Sequence, residues 1–336
     1  MTRYVWFFLA CAGVVACSGP APAHPPAEDT ARCDTALPTG AVEIEGGQFT
    51  MGSDANYREE SPSRTVTVDT FWMDRTEVTV ERFARFVEET GYETVAERPI
   101  DPETMPDVDL EARPDLAPIF EPGGAVFRPG DVETLRTASW WHYVPGASWR
   151  HPQGPDAPEA APREPVTQIA FEDAEAFASW AGGHLPTEAE WEYAALANDE
   201  GASSTSARPR NANTWQGIFP VENTGEDGFD GVAPAGCFAP NANGLHDMLG
   251  NVWEWTTDWY APFPAADTDN PQGVPQDRSF DPANPGVPSR VLKGGSFLCA
   301  ENYCQRYRPA ARHPQETGLG TNHIGFRLVY DEAPED

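Results

Sequence analysis

Apolar and polar residues alternate with two periods along this chain, and each period marks a different kind of element. From Val42, VEIEGGQFTMGS predicts a strand, a Gly-Gly turn and a second strand. RTVTVDTFWMD (64–74) alternates β-branched and polar residues, as a half-buried strand does. The spacing then turns helical: Val80, Phe83, Phe86 and Val87 share one face, with Thr79 as N-cap and Gly91 as the stop. FEDAEAFASWAGG (171–183) predicts a short helix stopped by glycines. LPTEAEWEYAALA (185–197) predicts another, opened by a capping box in which Thr187 precedes Glu190 by three residues. RVLKGGSF (290–297) and IGFRLVY (324–330) predict strands near the end. Between them, 93–135 and 261–287 are polar, acidic and Pro-rich and predict surface excursions, while 201–258 predicts turns with few regular elements. There is no internal repeat and no phosphate-binding glycine pattern. Periodicity alone gives a mixed α+β domain with much irregular structure.

Composition fits one large globular domain or two small ones: 336 residues, 40% hydrophobic, with 11 Trp and 17 Phe as bulky anchors. Gly (29) and Pro (34) are abundant enough to predict a loop-rich fold. The formal net charge of −31 argues against nucleic-acid binding, which needs a cationic face. It suits a basic peptide or metal cations as well as plain solubility.

The chain opens with MTRYVWFFLACAGVVACSG, a short basic stretch and an apolar run too short to span a bilayer, which predicts an export signal over 1–16. Val14-Val15-Ala16-Cys17 has the small residue before Cys of a bacterial lipoprotein cleavage site, with Cys11 a second candidate. A lipid on Cys17 would hold the protein to a bacterial membrane outside the cytoplasm, in the periplasm or at the cell surface. A Pro/Ala-rich tether (17–41) follows. Cys33, Cys237, Cys299 and Cys304 would then face an oxidising compartment and allow three full pairings, Cys33–Cys237 being one bridge that would pin the N-terminal end. Spacing alone favours a structural disulfide between Cys299 and Cys304, since five residues can close through a turn.

GGQFTMGSD, RTEVTVERFARFV, PVTQIAFEDAEAFASWAGGHLPTEAEWEYAA, GLHDMLGNVWEWTTDWY and RVLKGGSFLCAENYCQRYRPAAR…HIGFRLV follow one another in an order that resembles the formylglycine-generating enzyme, or sulfatase-modifying factor, family over residues 42–331, leaving an acidic tail (332–336). The resemblance implies a single domain of formylglycine-generating-enzyme, C-type-lectin-like type. Two of these stretches, LPTEAEWEYAA and GNVWEWTTDW, belong to the wider superfamily. The GGS-x-x-C-x4-C pattern of Gly294, Gly295, Ser296, Cys299 and Cys304 is narrower, and Tyr303, Arg306, Tyr307 and Arg308 match with it. Phe177, Pro309 and Leu328 stand where vertebrate members carry further cysteines, so those bridges cannot form.

The resemblance implies copper- and O2-dependent oxidation of a sulfatase cysteine, in an extended C-x-P-x-R segment, to Cα-formylglycine. Cys299 and Cys304 would hold Cu(I), which two soft thiolates suit. Ser296 would assist catalysis, and Trp149 and His323 would flank the peptide cleft. Arg306 and Arg308 would either steady charge there or serve the structure. Two structural Ca2+ sites are also implied, one from Asn213, Thr214, Asp227 and Phe229, the other from Asp247, Gly250, Val252 and Glu254, with Asp247 standing where the family has Asn. Oxygen-rich, Gly-containing turns are consistent with both. The competing reading is a lipid-anchored module of the same fold that grips peptide or glycan without turnover, its Cys299–Cys304 pair bridged. A different oxidase with a His-based iron site is disfavoured, because no such His cluster occurs among the seven His.

Overall fold

The computed structural model describes residue 33 and residues 36–100, 111–203, 205, 207–262 and 267–334. The expected export signal and Cys17 lie outside the described residues.

Strand β1 (Ala41–Ile44) and strand β2 (Gly47–Met51) flank the Gly-Gly turn, but they join different sheets. A side chain at Gly46 would press within 2.6 Å of the Asp69 backbone, so glycine is needed where the chain switches sheets. The stretch expected as one strand over 64–74 is two, β3 (Arg64–Val68) and β4 (Phe71–Asp74), broken at Asp69-Thr70. β2 pairs antiparallel with β3, and β1 pairs antiparallel with β4.

Helix α1 (Val80–Thr90) starts and stops as its sequence predicts. Thr79 Oγ1 accepts from Arg82 N, and Gly91 caps the end in the left-handed region at φ 68°. The stretch 93–135 is less of a surface excursion than its composition predicts. It contains β5 (Gly123–Phe127), with Val126 and Phe127 buried, and helix α2 (Val132–Thr137). β5 pairs antiparallel with β6 (Trp141–Pro145), setting Phe127 opposite Trp141. A five-residue strand opening Gly-Gly has too little alternation to stand out from a Pro-rich segment.

Helices α3 (Phe171–Trp180) and α4 (Glu188–Leu196) form where predicted. The Thr187–Glu190 capping box of α4 is complete in both directions. Among its described residues the irregular middle has a short 3-10 turn (Glu200–Ser203) and the short pair β7 (Gly217–Ile218) and β8 (Glu222–Asn223) before β9 (Trp253–Trp259). Then come β10 (Ser289–Lys293), β11 (His313–Glu316), β12 (Ile324–Gly325) and β13 (Val329–Tyr330). The largest sheet has the order β11-β10-β9-β12, and a second has β1-β4-β13. IGFRLVY, expected as one strand, crosses between these sheets at 326–328.

The main core gathers on α1 and α3. Phe83, Phe86, Phe177 and Phe326 contact one another through ring pairs 5.3–5.7 Å apart. Full burial of each such ring contributes roughly 1.5–3 kcal/mol, which offsets the scarcity of regular hydrogen-bonded structure. Cys33 and Cys237 form a disulfide, the bridge the sequence allowed. No helix among the described residues is long and apolar enough to cross a membrane.

Candidate functional site

β10 ends at Lys293, and the two residues after it decide where the cysteines go. Gly294 and Gly295 both take left-handed conformations (φ 93° and 80°). A Cβ at Gly294 would stand 3.1 Å from Met248 O and Trp191 Cζ2, and one at Gly295 would stand 3.0 Å from Arg306 O. The glycine pair thus admits a turn that other residues would strain. Beyond it Cys299 N donates to Ser296 O (2.9 Å), and Tyr303 N and Cys304 N both donate to Ala300 O (3.2 and 3.0 Å). This single helix-like turn folds Cys304 back onto Cys299.

Their sulfurs stand 2.8 Å apart as free cysteines. That exceeds the ~2.05 Å of a disulfide bond and is short enough for both sulfurs to touch one bound atom. Burial pushes the Cys299 thiol well up. The hydrogen bond from Cys299 and the nearby Arg306 charge draw the Cys304 thiol down to about 7. Of the two, Cys304, the half-buried sulfur, is therefore the one that ionises first, and Cys299 donates to it. Arg306 is fixed by a 2.6 Å ion pair with Glu59 and lies 4.1 Å over the Tyr57 ring.

Both sulfurs line a cavity of about 210 Å³ that also takes in Ser296, His323 and Arg306. Ser296 is fully buried, and its Oγ accepts from Leu298 N (3.2 Å). His323 pairs through Nδ1 with Thr321 Oγ1 (2.7 Å) and packs against the Trp141 ring (4.7 Å). Burial holds both His323 and His313 down to about 3, the Arg306 charge adding to the effect on His313, so both imidazoles are neutral at ordinary pH.

Trp149 is not among the residues lining this cavity. It lies in the core, edge-on to Phe83 at 5.3 Å, with the Arg150 guanidinium 4.0 Å from its ring centre. Core packing claimed it because α1 presents Phe83 toward the same interior. Trp140, Trp141, Phe219, Trp253 and Tyr303 supply the aromatic wall instead, with His313 stacked on Trp253. Sequence reasoning did not assign Trp140, Trp141, Phe219, Trp253 or His313 to the site. The three Trp within 140–149 were the available signal, but density alone does not say which of them faces the cavity.

The residues of the first expected calcium set come together. Asp227 accepts from Thr214 N (3.0 Å) and Phe229 N (3.1 Å), and Asn213 donates to Gly231 O and Asn251 Oδ1. Thr214 O and an Asp227 oxygen converge on Gln216 Nε2, at 2.5 Å from Thr214 O. Two oxygens aimed at one point are an arrangement a cation also satisfies.

In the second set, Asp247 Oδ1 is buried without a partner, and so is Glu77 Oε2, a carboxylate the sequence did not single out. Burial, and then the Asp247 charge, pushes Glu77 well up, and burial pushes Asp247 up to about 6. Two buried carboxylates with orphaned oxygens fit a divalent cation, which would remove their mutual repulsion. Glu254, expected in this set, already receives Arg327 on both oxygens (2.7 Å each) and Trp191 Nε1 on one. Among the described residues, no three His, Cys, Asp or Glu side chains are grouped to hold a metal ion by themselves.

The chain matches the family model of the Sulfatase-modifying factor enzyme 1-like domain over residues 27–332. It is 48% identical over 305 residues to the formylglycine-generating enzyme of Mycobacterium tuberculosis, covering 87% of this chain and 98% of that protein. It is also 38% identical over 300 residues to the inactive C-alpha-formylglycine-generating enzyme 2 of Mus musculus, covering 86% of this chain and 84% of that one. Among solved structures, PvdO from Pseudomonas aeruginosa superposes with a TM-score of 0.60 at 20% identity, covering 87% of this chain and 94% of that one, a likeness of fold. The domain match and the identity across nearly the whole of a named relative place the chain in the formylglycine-generating enzyme (sulfatase-modifying factor) family.

Proposed function

We propose that this protein oxidises a cysteine in an extended C-x-P-x-R segment of a sulfatase to Cα-formylglycine, with O2 as oxidant and Cu(I) held by Cys299 and Cys304. The observation that carries this reading is the pair of unbonded sulfurs, 2.8 Å apart, beside an aromatic-walled cavity. The named relatives include formylglycine-generating enzymes and an inactive one, so membership supports the activity only together with this pair. When bound, Cu(I) supplies a soft centre for a substrate thiolate and for O2.

The chain's own groups prepare the site. The Cys304 thiol, drawn down to about 7, gives up its proton more readily than Cys299, whose thiol burial pushes up. Arg306 balances the resulting negative charge. The aromatic wall limits water around the reacting sulfur, and the neutral imidazoles of His313 and His323 add polarity without charge. Ser296, in the cavity lining, offers a hydroxyl to the substrate or to oxygen.

Titrating the reduced protein with Cu(I) tests the site. Tight binding in wild type and its loss in both Cys299→Ser and Cys304→Ser is expected; equal binding by all three sinks the reading. Mass spectrometry of a C-x-P-x-R peptide incubated with enzyme, copper, reductant and O2 tests the activity. The expected product is about 18 Da lighter, as replacing SH and H by a carbonyl oxygen requires.

Calcium at the two loop sets is part of the same proposal. Glu77 and Asp247 support the second site, and the convergence on Gln216 supports the first. A chelator should lower the melting temperature of wild type, and added Ca2+ should restore it. Glu77→Gln should shrink that shift, and an identical melting curve with and without chelator would count against both sites.

The Cys33–Cys237 disulfide supports export to an oxidising compartment. A lipid on Cys17 is then the proposed membrane anchor, to be checked by mass spectrometry of the mature N-terminus; an unmodified Cys17, or cleavage elsewhere, would rule it out.

A further inference from the structure

Helix α2 has no reason in packing to exist where it does. None of its residues is buried, and Val132 and Leu135 stand 67% and 45% exposed. Its shape comes from its ends and its charges: Asp131 accepts from Glu133 N and Thr134 N, and Arg136 pairs with Glu133 at 2.6 Å. An amphipathic element ordinarily turns its apolar residues inward. This one displays them.

Its neighbours do the same. Among the described residues eight large hydrophobic side chains are exposed, and six of them fall on four segments, two of which line the cysteine cavity. These are Val132 and Leu135 on α2, Ile218 and Val221 at the β7–β8 turn, and Trp141 and Tyr303 at the cavity itself. The segments are joined to one another. Gly130, just before α2, donates to Pro220 O at 3.0 Å. Phe219 stacks on Tyr303 at 4.3 Å, and Trp140 meets both rings edge-on at 5.4 Å. The exposed rim is thus continuous with the wall of the cavity.

We propose that this rim is the docking surface for the unfolded client chain that flanks the modified cysteine, and that it favours clients with bulky apolar residues there. The inference rests on the peptide reading of the cavity. The cavity, about 210 Å³, is smaller than an ordinary ligand pocket of roughly 300–1,000 Å³ and holds only the reacting side chain and its near neighbours. An extended chain advances about 3.4 Å per residue. Four or five residues from the cysteine, a client has left the cavity and lies over the surface around it. What it meets there on the α2 side includes the apolar Val132 and Leu135, with Glu133 paired to Arg136 and Asp131 turned to capping the helix. Apart from the rim, the protein's net charge of −31 disfavours acidic flanks. A group of exposed large apolar side chains beside a cavity, in a protein of net charge −31, is the kind of surface that serves as a binding face.

Three peptides test this: a bare C-x-P-x-R core, the core with six-residue flanks containing Leu and Phe, and the core with Ser and Asn flanks of the same length. Binding is read by fluorescence anisotropy with the reactive cysteine replaced by serine, and turnover by mass spectrometry with the cysteine present. Wild type should bind the apolar-flanked peptide about tenfold tighter than the bare core. Val132→Ser with Leu135→Ser, and separately Ile218→Ser, should erase that gain while leaving the bare core unchanged. These side chains are exposed, so the variants should fold. Equal binding of all three peptides by wild type overturns the proposal, as does a variant that weakens core and flanked peptides alike. Absence of turnover with every peptide overturns the oxidase reading instead, and anisotropy still judges the rim. A wild-type dimer that the double variant converts to monomer would give the rim to self-association and overturn the proposal.

Discussion

Asp258 is wholly buried, with Oδ2 2.7 Å from the backbone N of Glu188. Burial, and after it the Glu188 charge, pushes its carboxyl up to about 7. In the unfolded chain the same group titrates near ~3.9. The folded state therefore binds this proton more tightly. The stability it contributes is fully present below about pH 4 and is lost as pH rises through about 7. Asp258→Asn keeps an oxygen acceptor without the charge. The difference in unfolding free energy between wild type and this variant should fall steadily from pH 4 to pH 7, as read from urea midpoints, while a flat difference would mean that Asp258 stays ionised. At this scale the sequence was informative in an uneven way. The thiols of Cys299 and Cys304 were legible by type and spacing, but not their contact at 2.8 Å, which depends on Gly294, Gly295 and the turn at Ala300. Trp149 and Trp141 carry the same side chain, and only the path of the backbone puts one against Phe83 and the other against His323. Glu77 was invisible because its orphaned oxygen matters only beside Asp247, 170 positions away in sequence.

Elements whose signals are local were the most legible. Helices α1 and α4 both announce themselves by a capping threonine, α1 also by an apolar face, and both caps form as written. Strands were less so, because a strand is completed by its partner. The alternation at 64–74 and the apolar run at 324–330 each suggest a single strand, yet each is cut so that its halves can serve different sheets. The β5–β6 pair was hidden in a Pro-rich context, although it carries Phe127 and Trp141 to the edge of the site. The loop sets at 213–231 and 247–254 lack periodicity, and their organisation comes from side-chain oxygens meeting backbone N–H groups. The irregular elements hold most of the site, so the sequence located its cysteines more easily than its walls.

Across the whole molecule, buried ion pairs do the joining that long sheets do elsewhere. Arg327 grips Glu254, Arg312 grips Glu188, Lys293 meets Glu192 at 2.9 Å, and Arg308 grips Glu60, all of them buried. The last is the most instructive for function. Arg308 follows the cysteine turn, and Glu60 lies in the short turn at Arg58–Glu60, whose neighbour Glu59 fixes Arg306. Arg308 Nη1 reaches Glu60 Oε2 at 2.7 Å and Nη2 bonds the other oxygen, so two distant loops are clamped in both position and orientation. Removing one charge leaves its partner buried and unmatched, at a cost of about 3–5 kcal/mol, whereas replacing both with apolar residues of similar volume can be close to neutral. Arg308→Met should therefore lower unfolding free energy by about that amount, and Arg308→Met combined with Glu60→Leu should recover most of it. Stability alone does not reveal what the clamp is for. If it also sets the cysteine turn, the double variant will fold with near wild-type stability but, on the proposed copper reading, bind Cu(I) more weakly, because the apolar pair lacks the bidentate geometry that orients the turn. Full recovery of stability together with unchanged Cu(I) affinity would reduce the pair to a packing element and leave the turn positioned by Gly294, Gly295 and Ala300 alone.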